Sequence, residues 1–143
     1  MAAAAKSKDL AIERDTLREI YRQIARIHEV DKAIQAGLSS GKFQFTYWPL
    51  TGQEAIPAAI APLVSDKDYM VTIYRGIHDQ VAKGVPLKGL FAEALGRVDG
   101  VNKGKGGSPH ISDPDSGSML TTAIVGAGTY ADGSHLTDNE ITG

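Results

Sequence analysis

The sequence predicts an α/β protein whose sheet is incomplete, and three observations lead there. Apolar residues recur at helical spacing from about residue 13 to residue 37. Tyr69 to Tyr74 is rich in β-branched and aromatic residues, the pattern of a strand. Beyond Gly96 the chain offers only the short apolar run Ala123 to Val125 as a second extended piece. One strand and one short run cannot build a sheet with two covered faces, so the helices need a surface that this chain does not supply. A part of a larger domain, or a chain that folds with an obligate partner, meets that need.

The helical stretch is amphipathic. Leu17, Ile20, Tyr21, Ile24, Ile27 and Ile34 form one stripe, with Arg, Glu, Gln and Lys between them. Gly37 is the predicted stop, because glycine accepts the left-handed conformation that closes helices. Residues 42–50 are aromatic and approach a turn at Pro49, which predicts an extended segment. Thr51 and Glu54 have capping-box spacing, so a helix is expected to open there. Pro57 then predicts a kink or a short helix, and Pro62 a stop. Ser65 to Asp68 reads as a polar turn. Residues 76–83 read as a short helix ended by Gly84. Pro86 to Leu95 reads as another, with Leu87, Leu90, Phe91, Ala94 and Leu95 on one side. From Gly96 to Gly117 propensity gives no element, only a long glycine-rich loop, which is either functional or disordered. The organisation expected is therefore a disordered N-terminus over 1–12, one partial domain over 13–128, and a polar, disordered tail over 129–143.

Composition narrows the function classes. Of 143 residues, 42% are hydrophobic and 22% charged, as in ordinary globular proteins. A formal net charge of -2 gives no reason to expect nucleic acid or an acidic membrane as partner. Cysteine is absent, which removes disulfides, thiolate metal sites and cysteine nucleophiles. No apolar run approaches the ~20 residues that a membrane helix needs. The opening Met1 to Lys6 is too short for a signal peptide. A cytoplasmic location, or an organelle matrix, is expected.

Three stretches in order carry a resemblance: Thr51-Gly-Gln-Glu-Ala55; Tyr74-Arg75-Gly76; and Lys103-Gly-Lys-Gly-Gly-Ser-Pro-His110, followed by Asp113-Pro-Asp115 and Ala123-Ile-Val-Gly126. Over roughly residues 15–128 they resemble the α subunit of the thiamin-diphosphate-dependent 2-oxo acid dehydrogenases, which act on pyruvate, acetoin or branched-chain substrates. The resemblance implies the N-terminal helical part of a thiamin-diphosphate-binding α/β fold. It implies decarboxylation of a small 2-oxo acid and passage of the acyl group to lipoamide on an acyltransferase core. It implies a β subunit as partner in a heterotetramer, and thiamin diphosphate with Mg²⁺ held between the subunits. A non-catalytic, truncated module that docks on a β subunit or self-associates is the alternative.

By position, Tyr74 and Arg75 match the pair that contacts the cofactor. An arginine at a strand exit offers a planar, permanently charged fork to diphosphate oxygens. Ile124, Val125 and Gly126 match the segment passing beside the cofactor, where backbone groups bind. Gly104 to His110 matches a loop near the active-site mouth. There are departures. Where the family has histidine two residues after the arginine, this chain has Ile77, with His78 next to it, and Pro109 replaces a common methionine. Ala131-Asp-Gly133 lacks the context of the family's metal motif, so metal ligation does not transfer to Asp132, and no metal ligand or catalytic residue is assigned.

Rival motifs fall short. Gly126 to Ala131 fits G-x-G-x-x-A, but neither the following helix nor the acidic residue farther on is present. The spacing of Gly100 to Lys105 is wrong for a nucleotide loop. His110, Asp113 and Asp115 sit in a Gly/Pro loop where nothing in the sequence fixes a ligand geometry. Ser108 has no nucleophile-elbow sequence around it.

Overall fold

The computed structural model describes residues 12–65 and 67–124. The expected N-terminal segment, Ile12 apart, and the expected tail lie outside the described residues, as do Val125 and Gly126. The chain order is α1 (Arg14–Ser39), α2 (Ala55–Ile60), a 3₁₀ turn (Ala61–Leu63), β1 (Met70–Ile73), α3 (Ile77–Lys83), α4 (Leu87–Ala94), a second 3₁₀ turn (Pro114–Ser116) and β2 (Ser118–Thr122). The two strands pair in parallel, and the crossover between them contains α3, α4 and the glycine-rich loop.

The stripe of α1 packs from its middle onward. Ile27, Val30 and Ile34 are buried with Leu50, Ala58, Ile77, Val81, Val85, Leu90 and Ile111 in one core, and Ile20 and Ile24 pack against it. Leu17 and Tyr21 of the predicted stripe are exposed, because the helix runs past the body on which it packs. Truncating a residue such as Ile34 would cost about 2–5 kcal/mol in a core of this kind. The helix also outruns its predicted stop. Gly37 is buried inside it and gives room to the Phe43 ring, while the chain turns left-handed at Gly41 (φ 72°).

The capping box does not form. The Thr51 hydroxyl donates to Asp31 instead (2.7 Å), and Glu54 accepts the Gly52 N–H (2.7 Å). Pro57 sits in the first turn of α2, where a missing N–H leaves no intrahelical bond unmade, and the helix is short, six residues, as expected. Pro62 is carried within the 3₁₀ turn that follows. β1, α3 and α4 fall within the stretches predicted for them, and Gly84 closes α3 at φ 99°. The second strand is Ser118–Thr122, and Ala123 and Ile124 of the apolar run follow it. Its ladder slips by one residue between Met70 and Val71, which leaves Met119 and Leu120 both exposed and Ser118 and Thr121 both buried. That bulge erases the period-two pattern by which strands are read.

Candidate functional site

β1 and β2 end together, with Ile73 paired to Thr122. Tyr74 and Arg75 follow the one strand, and Ala123 and Ile124 follow the other. The predicted residues Tyr74, Arg75 and Ile124 thus share the carboxyl edge of a parallel pair, the side on which open α/β sheets bind ligands. Val125 and Gly126, assigned to the same site, lie outside the described residues.

The turn after β1 is tightly built. The Gly76 N–H donates to the Ile73 carbonyl (2.7 Å), and the Gly76 carbonyl accepts the Gln80 N–H in α3 (3.1 Å). A Cβ on Gly76 would lie 2.0 Å from the Thr72 Oγ1 and 2.8 Å from the Ile73 carbonyl oxygen. Glycine is therefore required after Arg75 on packing grounds. Tyr74 meets Trp48 edge to face, with centroids 4.6 Å apart and planes at 65°, and the Arg75 guanidinium carbon lies 5.9 Å from the Tyr74 ring centre. Both Tyr74 and Arg75 are half-buried. Among the described residues no carboxylate pairs with Arg75. A guanidinium held against an aromatic face, with no carboxylate paired to it among the described residues, is suited to bind an anion.

Trp48 reaches this edge because of Asp31, which sequence reading did not single out. Buried on α1, Asp31 accepts from the Tyr47 hydroxyl, from the Leu50 N–H (3.1 Å), from the Thr51 hydroxyl (2.7 Å) and from the Gln35 amide (2.8 Å). Burial pushes its carboxyl up, but the hydrogen bonds from Tyr47, Thr51, Leu50 and Gln35 outweigh burial and hold it below the ordinary value. Burial, followed by the bond to Asp31, raises the Tyr47 hydroxyl. Nearby, Glu54 pairs with His28 Nδ1 (3.0 Å), and this bond is the leading cause of its lowered carboxyl pKa.

Two more groups tie the edge together. Gln80 donates through one amide nitrogen to the Ile111 carbonyl (3.1 Å) and the Thr121 hydroxyl (2.7 Å), linking α3 to β2. His78 is buried, with Nε2 3.3 Å from Asp79, and Asp79 also accepts from Thr72. His110 is exposed, with Nδ1 3.3 Å from the Thr121 carbonyl. Among the described residues no group of three or more His, Asp or Glu side chains is gathered to hold a metal ion. A groove of about 590 Å³ lies elsewhere, lined largely by apolar side chains including Pro57, Ile60, Val64, Val71 and Met119, and it contains none of Tyr74, Arg75 or Ile124.

Residues 22–138 match the family model described as dehydrogenase E1 component. The chain belongs to the dehydrogenase E1 component family. It is 32% identical over 133 residues to the α subunit of acetoin:2,6-dichlorophenolindophenol oxidoreductase from Bacillus subtilis, covering 92% of this chain and 40% of that protein. It is 41% identical over 76 residues to the mitochondrial pyruvate dehydrogenase E1 component subunit alpha of Pisum sativum, which is 53% of this chain and 19% of that one. With the corresponding subunit of Saccharomyces cerevisiae it shares 33% identity over 112 residues, 78% of this chain and 26% of the yeast protein. The chain thus spans about two fifths, or less, of the length of these E1 relatives. The α/β character expected of an E1 α subunit is present as four helices and one two-stranded parallel sheet among the described residues. No helix among them is long and apolar enough to cross a membrane.

Proposed function

We propose that this chain supplies the diphosphate-gripping part of an E1 α subunit that decarboxylates a small 2-oxo acid and passes the acyl group to lipoamide on an acyltransferase core, together with a β subunit. The observation that carries the reading is Arg75: a half-buried guanidinium at the carboxyl edge of a parallel strand pair, backed by Tyr74 and without a carboxylate partner among the described residues. Those residues fit a diphosphate. They do not fit its metal ion, so Mg²⁺ ligation is assigned to polypeptide outside them. Thiamin diphosphate, when bound, supplies the electron sink that decarboxylation needs. Arg75 would bind phosphate oxygens through paired N–H groups, and Tyr74 with Trp48 would hold that fork in place. Backbone groups from Ile124 through Val125 to Gly126 would line the neighbouring side. A cytoplasmic or organelle-matrix setting suits this role.

Nuclear magnetic resonance titration of the chain with thiamin diphosphate and Mg²⁺ tests the reading. Weak binding is expected, with shifts concentrated at Tyr74, Arg75, Gly76 and Ile124. Shifts confined to other residues would remove the assignment, and tight stoichiometric binding in calorimetry would show that no β subunit is needed to complete the site. The exposed Ile56, Leu63 and Tyr69 favour a second reading, a non-catalytic module that docks on a β subunit or on itself. Co-purification with a β subunit without turnover supports it, and a monodisperse, cooperatively unfolding monomer counts against it.

A further inference from the structure

The geometry points to Glu93 as the internal anion of the glycine-rich loop: a positioning residue whose carboxylate takes up the N–H groups such a loop would otherwise offer to a phosphate, and so sets His110 near the carboxyl end of β2. Glu93 is 0% exposed at the last turn of α4. An acidic residue at a helix C-terminus faces the negative end of the helix dipole, and burial removes its water. It needs strong compensation, and four backbone donors supply it. One carboxylate oxygen accepts from the N–H groups of Asn102 (2.7 Å) and Gly104 (2.9 Å), and the other from Gly106 (2.7 Å) and Gly107 (3.3 Å).

The glycines are where this wrapping demands them. A Cβ on Gly100 would lie 2.4 Å from a Glu93 oxygen and 2.6 Å from its backbone, and one on Gly106 would lie 2.1 Å from the His110 carbonyl. Gly104 is left-handed at φ 75° and backs directly onto Gly96. The pattern Gly100, Gly104, Gly106, Gly107 thus records a backbone folded around the protein's own carboxylate. Backbone N–H groups that converge in a concave loop make an anion site, and here the anion is covalently part of the chain.

The loop then delivers two groups. The Ser108 hydroxyl donates to the Thr46 carbonyl (2.6 Å), in the same segment as Trp48. The His110 N–H donates back to Gly107 (3.4 Å), and its ring Nδ1 reaches Thr121 (3.3 Å). A carbonyl only accepts, so Nδ1 is the donor in this contact. Only the consequence for phosphate binding rests on the proposed function. If this loop is spoken for, Arg75 and not the glycine run is left to grip a diphosphate.

Amide hydrogen exchange on the 143-residue chain, read by magnetic resonance, tests the assignment. In the wild type the amides of Asn102, Gly104, Gly106 and Gly107 are protected although they lie in no helix or strand, and inorganic pyrophosphate leaves their shifts unmoved. In Glu93→Gln these four exchange about tenfold faster or more, the His110 ring nitrogens shift, and the amides of Ile27 to Ile34 keep their protection. Loop amides exchanging at unstructured rates in the wild type, or moving with pyrophosphate, overturn the proposal. So does a Glu93→Gln variant with uniform acceleration along the chain, or with an unmoved His110 ring. Should that variant not fold, the two wild-type readings decide alone. Because none of these signals requires thiamin diphosphate, a chain that fails to bind the cofactor would refute the proposed function and leave this inference standing.

Discussion

Asp31 and Glu93 are both buried carboxylates on helices, and each fixes an irregular stretch of chain, but they collect different donors. Asp31 accepts mainly from side chains, those of Tyr47, Thr51 and Gln35, with one backbone N–H from Leu50. Glu93 accepts from four backbone N–H groups. The first stretch carries Trp48 to Tyr74, and the second carries His110 to β2. The difference concerns what replacement leaves behind. Side-chain donors can rotate toward water, whereas backbone donors in a closed loop cannot, so the same loss of charge strands more unsatisfied groups around Glu93.

Stability measurements can break that contrast. Glu93→Gln is expected to lower the unfolding free energy by about 3 kcal/mol, a large share of the total for a domain of this size. Urea denaturation with an unchanged m-value is the check. Asp31→Asn is expected to cost about 2 kcal/mol, because one oxygen still accepts while the new amide meets donors. Trp48 is the only tryptophan, so its emission reports whether the 42–51 segment loosens. If Asp31→Asn proves the more damaging, the contrast fails.

The same carboxylate gives a dependence on pH. Asp31 and Glu54 titrate below their ordinary values of 3.8 and 4.5 in the folded chain. Between the folded and ordinary values the unfolded chain binds more protons, so stability rises with pH there. Their contribution is complete above about pH 5 and is lost as pH falls through the folded pKa values. Urea midpoints from pH 6 down to pH 3 should therefore fall, and Asp31→Asn should flatten the slope. A pH-independent midpoint in the wild type would contradict this. The smallest effect is expected at Arg18→Ala. Its pair with Asp15 is solvent-exposed on both sides, and such pairs contribute little, so the midpoint should not move measurably.

Much of the scaffold was legible in the sequence. The helical period of Ile20, Ile24, Ile27 and Ile34, the β-branched run after Tyr69 and the glycine after Lys83 each state a local preference that the tertiary structure did not override. Local rules failed where a distant group competed. Thr51 had the spacing of a cap, yet Asp31, twenty residues earlier in the chain, took its hydroxyl. Gly37 had the look of a stop, yet Phe43 needed its bare Cα inside the helix. β2 was hidden because Ser118 and Thr121 are its buried residues, Thr121 bonded to Gln80 and Ile111. In the candidate site, Tyr74 and Arg75 could be named from their residue types and family spacing. Glu93 could not, since backbone donors have no letter in a sequence. The signal that was present is an acidic residue in a helix's last turn followed by glycines spaced like a nest.

Arg75, and not the glycine loop, is expected to grip phosphate, and thiamin diphosphate titration of the wild type against Arg75→Ala tests this most directly. Magnetic resonance reads even weak binding in both proteins. The expected result is affinity lowered about tenfold or more, with loop amides 102–107 silent in each. Equal affinity in the two proteins, or shifts that follow the glycine loop instead of Tyr74 to Gly76, would contradict it.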